Sequence, residues 1–78
     1  MSLSEDVRRV IAETLNLSEN AIDQSSSSET IDAWDSLAQV NLMMAIEQTF
    51  DLELEVEDFM RLNSVAAIVG YIESRPQA

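Results

Sequence analysis

Residues 35–50, with the sequence DSLAQVNLMMAIEQTF, are the stretch that decides the fold. Asp35 is a good N-cap, and the apolar residues behind it recur with helical spacing, which predicts a helix over residues 36–50. The polar side of this helix is assigned Gln39, Glu47 and Gln48. Its apolar face is predicted from Leu37, Val40, Met44 and Phe50, broadened by Met43 and Ile46.

Ser36 occupies the front of this predicted helix, between an acid and a leucine. The chain contains no His, Cys or Lys, so the usual bases that activate a serine hydroxyl are missing. A phosphodiester at this position would face unpaired backbone N–H groups and the positive end of the helix dipole. The position therefore favours an attachment point for a phosphate-linked group over a catalytic nucleophile.

The N-terminal part predicts a helix followed by a long loop. Ser2 and Glu5 have the spacing of a capping box, which places a helix start near residue 3, and helical apolar spacing continues to Leu15. Residues 16–35 lack sustained periodicity and include a run of four serines, so a loop is predicted there. The side chains expected to anchor it are Leu17, Ala21, Ile22, Ile31 and Trp34.

The C-terminal part predicts a connector and two further helical segments. Acidic and apolar residues alternate over residues 51–58, which we interpret as an extended connector because a lone strand has no partner. A short helical turn is expected over residues 57–62, and Ser64 is the predicted cap of a last helix that ends before Pro76. Together the segments predict a single all-α domain over residues 1–78, a small four-helix bundle of three main helices and one short helix, with a long loop before the second.

Charge restricts the classes of partner. Fifteen acidic residues oppose four basic ones, a net charge of −11, which disfavours nucleic acid and favours basic protein surfaces. Without cysteine there is no disulfide framework and no thiolate metal site, and no defined metal site is predicted. The N-terminus shows neither a secretory signal nor an apolar stretch of membrane-spanning length, so we expect a cytoplasmic protein. We also expect it to be a monomer.

A series of residues with specific spacing extends from Trp34 to Ile72. It comprises Trp34-Asp35-Ser36-Leu37, Val40, Leu42, Met44-Ala45, Glu47, Phe50-Asp51, Glu53, Leu54, Glu57, Ser64-Val65 and Tyr71-Ile72. In these residues, and in length, acidity, long first loop and terminal helix, the chain resembles the acyl carrier protein family.

This resemblance implies a cofactor, a set of partners and a set of site residues. Ser36, flanked by Asp35 and Leu37, would receive a 4′-phosphopantetheine from coenzyme A through a phosphopantetheinyl transferase. The thiol of that arm would hold acyl groups as thioesters for acyl-activating, acyltransferase or synthase enzymes with basic patches, and the protein itself would catalyse nothing. Besides Leu37, the residues expected to face partners are Trp34, Val40, Met44 and Glu47.

Two departures from the family pattern favour a carrier dedicated to one fatty acid or polyketide pathway over the housekeeping carrier. Ala33 and Trp34 stand where carriers of primary fatty acid synthesis usually have a glycine. Ala38, Asn41 and Gln48 occupy positions where that group tends to show carboxylates. Fewer charges on this helix should weaken electrostatic steering toward basic partners.

Several alternatives stay open at the level of sequence. Trp34 could contact partners or the arm, or it could anchor the loop to the core. The methionines at 43, 44 and 60 could line a pliable acyl cavity or serve as ordinary core packing. The acids of residues 51–58 could bind a cation loosely or form a solvated surface. The whole chain could be an aminoacyl or peptidyl carrier, or an unmodified acidic interaction module.

Overall fold

Four α-helices build the fold in the computed structural model, which describes residues 2–74. They are α1 (Leu3–Leu15), α2 (Ser36–Phe50), α3 (Val56–Arg61) and α4 (Val65–Ser74), with a short 3-10 helix at Glu19–Ala21. Helix α1 packs against α2 and α4, and α3 packs against α2. The predicted small all-α bundle, with a long loop before its second helix, is confirmed.

Side-chain caps set the helix starts close to the predicted positions. Ser2 and Glu5 form the predicted capping box of α1, and Asp35 caps α2 as expected. Helix α3 begins one residue earlier than predicted, because the Asp58 carboxylate accepts a hydrogen bond from the Glu55 N–H and fixes the first turn. Helix α4 is described as far as Ser74, so its predicted end before Pro76 lies outside the described residues.

The apolar face of α2 differs from the predicted one. The residues of α2 that enter the core are Leu42, Met43 and Ile46, each with no exposed surface. Leu37, Val40 and Met44, which were assigned to the apolar face, are 72%, 44% and 49% exposed. Apolar residues occur on nearly every side of this helix, so their spacing alone could not determine which stripe packs inward.

The long loop is fastened to the turn between α3 and α4. Ser26 is buried, its hydroxyl accepts a hydrogen bond from the Asp23 backbone N–H (2.9 Å), and its carbonyl accepts one from Val65 (3.0 Å). The Ser28 N–H donates to the Asn63 carbonyl at 2.9 Å. These bonds show that the serine run is an ordered connection, and they hold in place the segment that leads to Ser36.

Of the predicted loop anchors, one is wrong and the others contact the core. Ile22 and Trp34 are buried, and Leu17 and Ile31 pack partly against the core. Ala21 is exposed, because it lies in the short 3-10 helix, which buries no residue.

Candidate functional site

Ser36 is the first residue of α2, and it is exposed. Asp35 precedes it in an extended conformation, and its carboxylate accepts a hydrogen bond from the Ala38 N–H at 2.9 Å. An α-helix offers no internal acceptor to its first N–H groups, so those of Ser36 and Leu37 are available to an external anion. A phosphodiester on the Ser36 hydroxyl therefore fits this position both electrostatically and sterically.

Ser36 borders an open cleft between α2 and α3 with a volume of about 630 Å³. This volume falls within the range of sites that hold small organic groups, roughly 300–1,000 Å³. The residues that line the cleft are Ser28, Trp34, Asp35, Ser36, Gln39, Val40, Phe59, Met60 and Asn63. Ser36 thus lies beside a partly apolar cleft whose volume is sufficient for a flexible organic group.

Gln39 forms the inner wall of this cleft and connects three parts of the chain. Its side-chain carbonyl accepts a hydrogen bond from the Trp34 indole N–H at 2.6 Å. Its amide N–H₂ donates to the backbone carbonyls of Phe59 (2.9 Å) and Leu62 (2.8 Å) at the end of α3, where an α-helix leaves carbonyls unpaired. We call these three bonds the Gln39 latch.

The sequence prediction missed the role of Gln39, which it assigned to the polar side of the helix. A signal was present, because Gln39, Met43 and Ile46 follow the i, i+4, i+7 spacing of a single helix face. Two of these three residues are core residues, so a polar residue in the same row is expected to have buried partners.

The structure separates the residues that were predicted to face partners. Leu37, Val40 and Met44 form one exposed apolar stripe on α2, which starts beside Ser36 and has successive spacings of three and four residues. Trp34, which was also predicted to face partners, is only 2% exposed: the ring is packed in the core and its N–H is held by Gln39. This burial favours the alternative interpretation of Trp34 as a loop anchor.

Glu47 has a structural contact that the sequence did not reveal. It is half-buried, and its carboxylate accepts a hydrogen bond from the Leu54 N–H at 2.8 Å, which fastens the connector between α2 and α3. On the other side of that connector, Val56 and Met60 of α3 are about four-fifths exposed. The exposed large apolar side chains among the described residues therefore all belong to α2 and α3.

The methionines are divided between the interior and the surface. Met43 is fully buried in the core, Met44 belongs to the exposed stripe of α2, and Met60 lines the cleft with 79% of its surface exposed. Of the two interpretations, core packing applies to Met43, whereas Met60 lies on the same cleft as Ser36.

The acids near α3 serve the fold. The Glu55 backbone N–H, which donates to the buried Asp58 carboxylate at 3.1 Å, lowers the pKa of that carboxyl below its usual value, with further help from Arg61 and the Tyr71 hydroxyl. Arg61 forms an ion pair with Asp58. Within residues 2–74, no three His, Cys, Asp or Glu side chains lie close enough together to hold a metal ion.

Comparison with known proteins connects this geometry to one kind of attached group. A family model described as a phosphopantetheine attachment site matches residues 5–72. The chain is 34% identical to the acyl carrier protein of Chlamydia felis over 96% of each chain, and 34% identical to that of Campylobacter lari over 95% of this chain and 96% of the relative. The acyl carrier protein of Chlamydia caviae gives 34% identity over 96% of this chain and 97% of its own.

None of the described helices has the length and apolar character that crossing a membrane requires.

Proposed function

This chain belongs to the acyl carrier protein family, and we propose that Ser36 is the residue that bears its 4′-phosphopantetheine group. Members of the family are carriers and not catalysts, and the covalently attached group supplies a thiol that holds acyl groups as thioesters. The observation that carries the proposal is the exposed Ser36 hydroxyl at the N-terminus of α2, beside a cleft that can receive the attached chain. It supports attachment there, because the helix end stabilises a phosphodiester.

The residues on either side of Ser36 help to position the attached group. Asp35 holds the first turn of α2 through its bond to Ala38, and the loop bonds described above fix the approach to the serine. The exposed Leu37 offers an apolar contact directly beside the attachment point. We assign Ser36 a covalent role and its two neighbours positioning roles.

Partner enzymes, in this proposal, dock on the apolar stripe formed by Leu37, Val40 and Met44. Glu47 supports that surface indirectly, since its carboxylate is engaged by the connector and is less available to a basic partner. The overall charge of −11 still draws basic partners at long range. The partners proposed are a phosphopantetheinyl transferase and the acyl-activating, acyltransferase or synthase enzymes of one dedicated fatty acid or polyketide pathway.

The chain acts as a single carrier domain and a monomer, and it works in the cytoplasm.

Incubation with coenzyme A and a broad-specificity phosphopantetheinyl transferase, followed by intact mass measurement, tests the proposal. Wild type is expected to gain one phosphopantetheine, and Ser36→Ala none. Ser28→Ala is the matched control, because Ser28 lines the same cleft, and it should gain the group as wild type does. A Ser36→Ala protein that still accepts the group would refute the assignment.

A further inference from the structure

The Gln39 latch stands between Ser36 and the interior of the bundle. Ser36, Gln39 and Met43 are spaced by three and four residues, so they follow one another along a single face of α2. This face begins at the exposed serine and ends at the fully buried Met43. The route along this face from Ser36 to the space around Met43 therefore passes Gln39.

Passing Gln39 would break the bonds that hold α3 against α2. Separating the two helices at this point pulls the Gln39 amide away from the Phe59 and Leu62 carbonyls. Turning the Gln39 side chain aside would also strand the indole N–H of Trp34, a buried donor whose partner is Gln39. A buried donor left without an acceptor is costly, and an alkyl chain supplies no replacement acceptor.

On the outer side of the latch, an attached chain can bind without breaking any of these hydrogen bonds. Val40 and Met60 border the cleft there and are already exposed, so a chain that covers them gains apolar contact without breaking a hydrogen bond. Phe59, which is partly buried, adds an aromatic wall to the same cleft.

We infer that Gln39 determines where the cargo lies: the latch closes the route into the core, and the arm and its acyl group lie in the open cleft between α2 and α3. The inference rests on the proposed attachment at Ser36. Gln39 acts here as a positioning residue. The cleft is open to solvent, so the carrier suits short acyl groups, whereas a long saturated chain would remain partly in water.

Two methionines provide the test, because they lie on opposite sides of the latch: Met43 is buried behind it and Met60 is exposed in the cleft. Wild-type protein carrying ¹³C-methyl methionine is loaded with acyl groups of increasing length, and the methyl resonances are recorded by NMR. The Met60 methyl, in the cleft, should shift on loading, whereas the Met43 methyl, behind the latch, should stay in place at every chain length. Met44, on the exposed stripe, serves as an internal reference.

Gln39→Leu tests whether the latch is the barrier, because leucine keeps a comparable size and removes all three bonds. Long acyl groups on this variant should shift the Met43 methyl progressively, and Gln48→Leu, an exposed glutamine on the same helix, should behave as wild type. If Gln39→Leu does not fold, Gln39→Glu takes its place, because a carboxylate still accepts from the Trp34 indole N–H but donates nothing to the Phe59 and Leu62 carbonyls. Long acyl groups should then shift the Met43 methyl of that variant. A chain-length-dependent shift of Met43 in wild type, or an unmoved Met60, would overturn the inference.

Loading itself separates the two proposals. A wild type that takes up no group contradicts the attachment at Ser36. A wild type that is loaded but shows its cargo at Met43 contradicts only the role of Gln39. A folded Gln39→Leu protein whose Met43 stays unmoved would show that the latch is not the barrier.

Discussion

Replacing Gln39 with alanine should destabilise the fold far more than its position on the rim of a cleft suggests. The substitution removes three hydrogen bonds and leaves the buried Trp34 N–H without its acceptor. Trp34 and Leu62 are 2% and 3% exposed, so the indole N–H and the Leu62 carbonyl are both left without a partner in buried residues. We expect a loss of about 3 kcal/mol in the free energy of unfolding. In a domain of this size such a loss lowers Tm by roughly 12–24 °C.

Thermal and urea unfolding followed by far-UV circular dichroism measures this loss. Gln48→Ala is the matched control, since it makes the same change on an exposed side of α2, and it should alter stability by less than about 0.5 kcal/mol. Trp34→Phe, alone and combined with Gln39→Ala, completes a double-mutant cycle. The cycle should give a coupling energy of at least about 1 kcal/mol. Equal losses for Gln39→Ala and Gln48→Ala, or a coupling near zero, would refute the latch.

Three further predictions concern Ser36, Asp58 and the net charge. Ser36→Ala should leave Tm unchanged within error, because the exposed hydroxyl is not needed for the helix cap, and a large drop in Tm would contradict that assignment. The lowered pKa of Asp58 makes its stabilising effect fully present above its usual pKa of 3.8 and lost as pH falls through the lowered value. The Tm difference between wild type and Asp58→Asn should therefore shrink in that acidic range, and a difference that stays constant with pH would contradict this assignment. Added NaCl or MgCl₂ should raise the Tm of the unmodified protein by screening its charge of −11, and a flat Tm from low to moderate salt would contradict this.

The sequence predicted the helices well where local signals coincide. Ser2 with Glu5, Asp35 and Ser64 are side chains whose capping chemistry acts within one turn, so they mark helix starts without knowledge of the fold. The same kind of signal predicted the extent of α2, and it therefore also predicted that Ser36 is the first residue of this helix.

Contacts between distant segments were not predictable in the same way. The Gln39 latch joins residues 20 and 23 positions apart along the chain, and the bond from Leu54 to Glu47 depends on how the connector folds back. The choice of inward face on α2 also depended on its neighbours, because the helix carries apolar residues on several sides. Trp34 illustrates both limits, since its burial follows from a loop whose course has no sequence period.

The central claim, that Ser36 bears the phosphopantetheine, is tested most directly by locating the modified residue. Wild-type protein is incubated with coenzyme A and an active transferase, digested, and sequenced by tandem mass spectrometry under conditions that keep the phosphodiester intact. The account predicts that the added mass lies on Ser36, in the peptide that contains Trp34 and Leu37. The same mass on another serine, or a folded protein that gains none, would contradict it.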